Sequence, residues 1–116
     1  MTSWELAQKT AQILEDKKGL DINIIKIDEI STLADYFVIA SGTSNTHVKA
    51  LADEVEVKIK EEGTMPVGLE GYRSNSWILL DYTQVVVHIF TPEGREFYDL
   101  DRLWRDGKKM ELDFLS

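Results

Sequence analysis

Few side chains in this sequence are of the kind that do chemistry, and they lie far apart. The chain contains no cysteine and only two histidines, His47 and His88, so thiol catalysis, cysteine-ligated zinc and a His-x-x-x-His pair are all excluded. We therefore expect no catalytic residue, no metal site and no cofactor. His88 lies in an apolar run, a setting typical both of a hydrogen-bonded structural histidine and of a binding residue.

The segment Ser41-Gly42-Thr43-Ser44 lies between an apolar run and a predicted helix, where its N–H groups could face a phosphate. A nucleotidyltransferase would also need paired carboxylates for magnesium, usually as Asp-x-Asp on a following strand. The segment after the helix offers only Glu70, for which we favour a structural role in accepting loop N–H groups. The sole Asp-x-Asp, residues 99–101, lies far downstream in a helical context. A small nucleotidyltransferase or nucleotide-binding protein therefore remains the alternative, and our main expectation is a protein that is not an enzyme.

Residues 77–80 and 85–90 read as two strands joined by a tight polar connection, which predicts a hairpin. Because side chains alternate along a strand, its two faces can be separated. One face is aliphatic and should meet the core, with Ile78, Leu80, Val85, Val87 and Ile89. The other mixes aromatic, acidic and imidazole groups, with Trp77, Leu79, Asp81, Val86, His88 and Phe90. This second face indicates either a further core layer under helices or a protein-binding patch.

The helices that frame these strands have clear start signals. Thr2 and Glu5 form a capping box that predicts a helix over residues 3–18, with Gly19 as the residue that ends it. A second helix is expected over 45–62. Thr91 followed by proline predicts a third start, with helical turns through Trp104.

The remaining strands complete an α/β pattern. Residues 22–27 and 36–40 are apolar strands, and residues 65–70 form an edge strand interrupted by proline and glycine. The tail alternates Met110, Leu112 and Phe114 with polar residues, which is typical of a short strand or of a segment that orders on binding. The pattern predicts one α/β domain over residues 1–116, with a mixed β-sheet and helices packed on it.

Composition narrows the class of partner and compartment. The 116-residue chain has a formal net charge of −8, which repels nucleic acid and attracts a basic protein, although acidic surfaces also serve solubility alone. Its apolar runs are too short for a membrane span, and the N-terminus lacks the pattern of a signal peptide. With no cysteine either, we expect a cytoplasmic protein that does not bind membranes.

The ordered set of motifs along nearly the whole chain resembles the ribosomal silencing factor family, also called Iojap-like proteins. The matching segments are residues 35–42 (DYFVIASG), 70–71 (EG), Trp77, 80–82 (LDY), 86–90 (VVHIF) and 95–104 (REFYDLDRLW). One departure is Thr83-Gln84, where the family often has glycine and an acidic residue, and it concerns the shape of the hairpin tip.

The resemblance implies a nucleotidyltransferase-like core that lacks the catalytic carboxylates. It further implies binding to ribosomal protein L14 on the intersubunit face of the large ribosomal subunit, which blocks joining of the small subunit and lowers translation under nutrient limitation. We expect the contact surface to comprise Trp77, Leu79, Asp81, Tyr82, His88, Arg95 and Tyr98. The aromatic residues would be anchors, Asp81 would pair with a basic side chain, and Arg95 would fix the local loop against an acidic neighbour. The free protein is expected to form a homodimer through part of the same surface.

Overall fold

The structure is a computed structural model that describes residues 1–105 and 107–110. Its strands form one six-stranded sheet in the order β3-β4-β5-β2-β1-β6, in which β2 and β5 are parallel and the other neighbours antiparallel. The strands are β1 (Leu20–Lys26), β2 (Tyr36–Ser41), β3 (Gly68–Glu70), β4 (Trp77–Asp81), β5 (Val85–Phe90) and β6 (Lys108–Met110). The predicted mixed α/β sheet is confirmed, with β3 at its edge. Met110 lies in β6, whereas Leu112 and Phe114 lie outside the described residues.

Three α-helices begin where the capping signals place them. They are α1 (Ser3–Asp16), α2 (Asn45–Glu61) and α3 (Pro92–Tyr98), and a 3₁₀ helix follows at Leu100–Arg105. The Thr2 hydroxyl accepts from the Glu5 N–H at 3.1 Å, and the Glu5 carboxylate accepts from the Thr2 N–H at 2.9 Å, so the capping box is complete. None of the described helices has the length and apolar character needed to cross a membrane.

The end of α1 differs from the prediction. The helix stops two residues before position 18, and Lys18 rather than Gly19 adopts the left-handed conformation, with φ of 63°. The Lys18 N–H donates to the Glu15 carbonyl at 2.9 Å and the Gly19 N–H to the Leu14 carbonyl at 2.7 Å, which is the pattern of a Schellman cap. Gly19 is required for close approach instead, because a Cβ there would lie 3.0 Å from the Leu14 carbonyl oxygen.

The main core lies between one face of the sheet and helices α1 and α2. The aliphatic face of the hairpin faces these helices, as predicted, and each of its members is fully buried: Ile78, Leu80, Val85, Val87 and Ile89. These side chains pack with Leu51 and Val55 of α2 in one cluster. The strands that carry the candidate site are therefore held rigidly from behind.

The opposite face of the sheet is covered only in part. A smaller apolar cluster there contains Ile25, Ile27, Ala34, Ile39, Val86 and Phe90, and Leu100 of the 3₁₀ helix packs against it. Helix α3 contacts β5 near Phe90, where Tyr98 meets the aromatic rings. The mixed face of the hairpin thus forms a second core layer at its Phe90 end. The rest of this face is not covered by the described helices.

The tip of the β4–β5 hairpin is strained. Thr83 has φ of 72°, a left-handed conformation in which a β-branched side chain is unfavourable. The Gln84 N–H donates to the Tyr82 carbonyl at 2.9 Å across Thr83, which closes a three-residue γ-turn.

Replacing Thr83 with glycine should therefore stabilise the protein. Relief of the left-handed penalty of about 1–2 kcal/mol outweighs the added backbone entropy of glycine, about 0.5–1 kcal/mol, so a net gain of about 0.5–1 kcal/mol in unfolding free energy is expected. Urea denaturation of Thr83→Gly beside Thr83→Ala, which keeps a Cβ and most of the strain, provides the measurement. A glycine variant less stable than the alanine variant would contradict the prediction.

Candidate functional site

The part of the sheet that α3 and the 3₁₀ helix leave uncovered, together with its rim, is called here the open face. It contains a groove of about 420 Å³. The groove is lined by Leu33, Phe37, Gly68, Leu69, Glu70, Leu79, Asp81, Val86 and His88. Leu33 is 79% exposed and borders the groove in solvent, whereas the register of β3 sets the Leu69 side chain beside Leu80, on the other face of the sheet. Apolar surface beside acidic groups is typical of a protein-binding site.

Trp77 and His88 form a hydrogen-bonded pair beneath this surface. The Trp77 indole Nε1–H donates to His88 Nδ1 at 3.1 Å, and His88 is only 3% exposed. The imidazole also contacts the Phe37 ring, with centroids 4.5 Å apart. Burial lowers the pKa of His88 to about 3, so the ring is neutral near pH 7. His88 is therefore buried beneath the surface of the free protein.

An aromatic cluster stands where the open face meets α3. The half-buried Trp77 ring stacks on Phe90 at 5.3 Å between centroids and contacts Tyr98 at 4.4 Å. Tyr98 is 40% exposed, and Phe97 beside it is 80% exposed. The sequence analysis did not single out Phe97, because nothing local to residues 95–104 shows which side of this short helix meets the sheet. Trp77, Tyr98 and Phe97 together present aromatic surface to solvent.

Acidic side chains lie along the groove. The Asp81 carboxylate accepts from the Thr83 N–H at 2.7 Å and remains partly exposed. Glu70 is exposed on the edge strand β3, and its carboxylate makes no hydrogen bond within the described part of the chain, so its expected role in accepting loop N–H groups has no support. Both carboxylates line the groove and favour a cationic group in a bound partner.

Tyr82 does not belong to the open face. It is 6% exposed and packs in the core under α1 and α2, on the opposite side of the sheet from Asp81. Alternation along the strand sends consecutive residues to opposite faces, and Tyr82 continues the aliphatic set of the hairpin. Its placement among the expected contact residues is therefore corrected. Burial raises the pKa of the Tyr82 hydroxyl.

Arg95 is an internal anchor. Its guanidinium donates to both carboxylate oxygens of Asp101, at 2.6 and 2.8 Å, and to the Ser41 hydroxyl at 3.0 Å. A further bond at 2.8 Å reaches the carbonyl of Asp21, which has a positive φ of 48° beside an irregularity in β1. The expectation that Arg95 fixes the local loop against an acidic neighbour is confirmed. Asp101 is the second carboxylate of the sole Asp-x-Asp in the sequence, and both of its oxygens are occupied by this structural ion pair.

The loop after β2 uses its polar groups internally. The Gly42 N–H donates to the Phe90 carbonyl at 2.8 Å, and the Thr43 N–H donates to His47 Nδ1 at 2.9 Å. The Ser44 hydroxyl accepts from the His47 N–H at 3.2 Å as the cap of α2. A Cβ on Gly42 would lie 2.9 Å from the Val48 nitrogen, so this glycine permits tight packing of the loop on the helix. These amides are not free for a phosphate, and the alternative of a nucleotide site here loses its support.

Comparison with known proteins agrees with the motifs. The family model described as ribosomal silencing factor during starvation matches residues 1–116. A ribosomal silencing factor from Chromobacterium violaceum is 42% identical over 104 residues, covering 90% of this chain and 85% of that protein. The mouse protein named mitochondrial assembly of ribosomal large subunit protein 1 is 33% identical over 95 residues, covering 79% of this chain and 42% of that one.

A solved structure agrees with the fold as well. The crystal structure of a protein from Chromobacterium violaceum matches with a TM-score of 0.87 at 40% sequence identity, covering 97% of this chain and 93% of that chain. Similarity at this identity extends beyond fold to family. This chain therefore belongs to the family of ribosomal silencing factors that act during starvation.

Proposed function

We propose that this protein binds the large ribosomal subunit through ribosomal protein L14 and blocks joining of the small subunit, which lowers translation when nutrients are scarce. The observation that carries the proposal is the open face, where the exposed Leu33, an aromatic cluster and two carboxylates lie on a rigid sheet in a chain of this family. A basic ribosomal protein is complementary to that surface in both charge and apolar character. The name of the mouse relative gives independent support for the large subunit as the partner.

The contact surface in this proposal differs from the sequence-based set. Trp77, Leu79, Asp81 and Tyr98 stay in it as contact residues. Tyr82 leaves it because it lies on the other side of the sheet, and Arg95 leaves it because Asp101 holds its guanidinium. His88 lines the groove but is buried in the free protein. We add Leu33 and Glu70, which line the groove, and Phe97, which is exposed beside Tyr98.

The proposed mechanism is steric and needs no reaction. The protein measures 33 × 33 × 30 Å along its principal axes. Contacts between two macromolecular surfaces require atoms within about 4 Å of each other. A body of this thickness on the intersubunit side of the large subunit therefore separates the two subunits by several times the contact distance. Occupancy alone then determines the degree of repression.

Two measurements test this function directly. The purified protein is sedimented through sucrose gradients with large subunits, small subunits and joined ribosomes, and light scattering then follows the joining of purified subunits. We expect the protein to travel with large subunits only and to reduce joining in proportion to its occupancy. Sedimentation apart from large subunits, or normal joining at full occupancy, would refute the proposal.

The charge of Asp81 supplies a prediction about the partner. Asp81→Lys places a cation against a basic surface, and affinity for large subunits should fall roughly 5- to 30-fold, since an exposed charge pair contributes about 0.5–1 kcal/mol and reversal counts twice. The loss should shrink as salt rises, because screening weakens interactions between exposed charges. Binding by Asp81→Lys is measured by co-sedimentation at low and high salt.

Two matched variants control for the other effects of Asp81→Lys. Asp81→Asn keeps the acceptor for the Thr83 N–H without the charge, and it should show about half the free-energy loss. Glu15→Lys makes the same change in net charge on exposed α1, away from the open face, and should bind normally. Equal losses for Glu15→Lys and Asp81→Lys would point to net charge alone and contradict a contact at Asp81.

We also propose that the free protein forms a weak homodimer through the open face. The exposed aliphatic side chain of Leu33 and the position of β3 at the edge of the sheet formed by the described strands are features that favour self-association. Sedimentation equilibrium should show a dimer that Leu33→Lys abolishes. Val57→Lys is the control, since Val57 is 54% exposed on α2 behind the sheet. A purely monomeric wild type at high concentration would contradict this prediction.

A further inference from the structure

The open face contains a hydrogen-bond donor that the protein itself does not use. The Trp77 indole nitrogen can only donate, so the 3.1 Å bond to His88 Nδ1 fixes Nδ1 as the acceptor. Burial keeps the ring neutral by lowering its pKa to about 3. A neutral imidazole carries one proton, which must then reside on Nε2. That atom is buried and has no hydrogen-bond partner within the described residues.

The residues around this N–H are mostly apolar. His88 lines the groove together with Phe37, Leu79 and Val86, while Asp81 and Glu70 supply the carboxylates. Buried polar groups without partners are uncommon, and each one lowers stability. Because Nε2 is buried in the free protein, a partner that fills the groove must displace the side chains around it before this donor gains its acceptor.

We propose that His88 determines specificity at the open face, by donating its Nε2–H to a carbonyl oxygen of the bound protein segment. This inference rests on the proposed function and assigns chemistry to the partner. The segment places an apolar side chain in the groove, a carbonyl above His88, and a lysine or arginine beside Asp81 and Glu70.

The charges of the groove favour a protein segment over RNA. A phosphate or a carboxylate at His88 would lie near two carboxylates, in a protein with a formal net charge of −8. A backbone carbonyl is neutral and accepts the same hydrogen bond without that repulsion. The neutral imidazole is suited to such an acceptor because it contributes a donor without a net charge.

Binding measurements on variants test the donor. His88→Leu alone would also leave the Trp77 N–H without its acceptor, so it is made in a Trp77→Phe background, where no indole N–H remains. Relative to Trp77→Phe, the double variant should bind purified large subunits about tenfold more weakly, because the partner carbonyl loses its donor. His88→Gln, which can accept from Trp77 and donate to the groove, should stay within about threefold of the wild type on the same scale.

Stability separates this role from a purely structural one. Leucine removes an unpaired polar group from an apolar site, so the double variant should unfold no more easily than Trp77→Phe while it binds more weakly. Equal affinities of Trp77→Phe and the double variant would overturn the proposal. A wild type that fails to sediment with large subunits would overturn the proposed function and this inference together. If Trp77→Ala loses binding while the double variant binds as well as Trp77→Phe, the inference is overturned and the proposed function stands.

Nitrogen-15 NMR of the imidazole gives a readout that does not depend on variants. In the free protein the ring proton should reside on Nε2. Purified ribosomal protein L14 should shift that proton downfield, and protein-free ribosomal RNA should leave it unchanged. A proton on Nδ1, no response to L14, or a shift caused by the RNA would each overturn the proposal.

Discussion

Trp77→Ala is expected to weaken binding to large ribosomal subunits by about 30-fold or more. Truncation of a tryptophan anchor at the centre of an interface typically costs about 2–4 kcal/mol, and each 1.4 kcal/mol is a factor of ten in affinity. In the proposed interface Trp77 is the central anchor, because it lies between Tyr98, which its ring contacts, and His88, to which it donates. Co-sedimentation with purified large subunits measures the effect.

The same substitution should lower folding stability only modestly. Trp77 is half-buried, so about 1–2 kcal/mol of unfolding free energy is expected to be lost, less than the 3–5 kcal/mol typical of a fully buried tryptophan. The aliphatic hairpin face remains packed under α1 and α2 in the variant. Thermal unfolding must therefore accompany the binding measurement.

The chain offers a matched control in Trp4. This tryptophan is also half-buried, but it lies on α1 at the other side of the sheet and packs on Tyr36 with centroids 5.4 Å apart. Trp4→Ala should cost a similar amount of stability and leave binding unchanged. If Trp77→Ala unfolds the protein, or if both variants lose affinity equally, Trp77 is a core residue and the proposed interface is wrong.

Much of the fold could be predicted because its signals are local. The caps at Thr2 and Thr91 are short motifs with direct hydrogen bonds, and they place the starts of α1 and α3 correctly. The bounds of β5 are those predicted from its unbroken apolar run. Alternation in the hairpin separated its core face from its mixed face, and the structure confirms that separation.

The candidate site was less predictable because it depends on contacts between distant segments. Phe37 and Leu33 join the groove through the parallel pairing of β2 with β5, which sets Phe37 beside Val86. No local pattern specifies that neighbour. The coverage by α3 likewise depends on where the chain turns after Phe90. Tyr82 is different, because strict alternation already assigned it to the aliphatic side.

The bonds of Arg95 include one local partner and two distant ones. Asp101 is close in sequence and could be anticipated as its partner, whereas Ser41 and the Asp21 carbonyl lie 54 and 74 positions away. Together these bonds connect α3 and the 3₁₀ helix to β1 and β2. The Arg95 side chain is 13% exposed and that of Asp101 is 27% exposed, so the pair is largely shielded from water.

Arg95→Met should therefore destabilise the fold strongly. Removal of one member of a buried ion pair typically costs about 3–5 kcal/mol, and the partial exposure of Asp101 places the expectation near about 3 kcal/mol. At about 4 °C per kcal/mol for a domain of this size, the melting temperature should fall by about 12 °C. Arg102→Met is the control, because Arg102 is an exposed arginine in the 3₁₀ helix that also contains Asp101. Its unfolding free energy should stay within about 0.5 kcal/mol of the wild type.

Binding at low temperature then decides between the two roles considered for Arg95. If it only fixes the loop, Arg95→Met that is still folded at 10 °C should bind large subunits within about threefold of the wild type, since the open face keeps its contact residues. If Arg95 is itself a contact, affinity should fall at 10 °C by at least the tenfold typical of an arginine at an interface centre. A variant that melts like Arg102→Met but binds weakly would refute the internal anchor, because four hydrogen bonds to Asp101, Ser41 and Asp21 would then contribute nothing to folding.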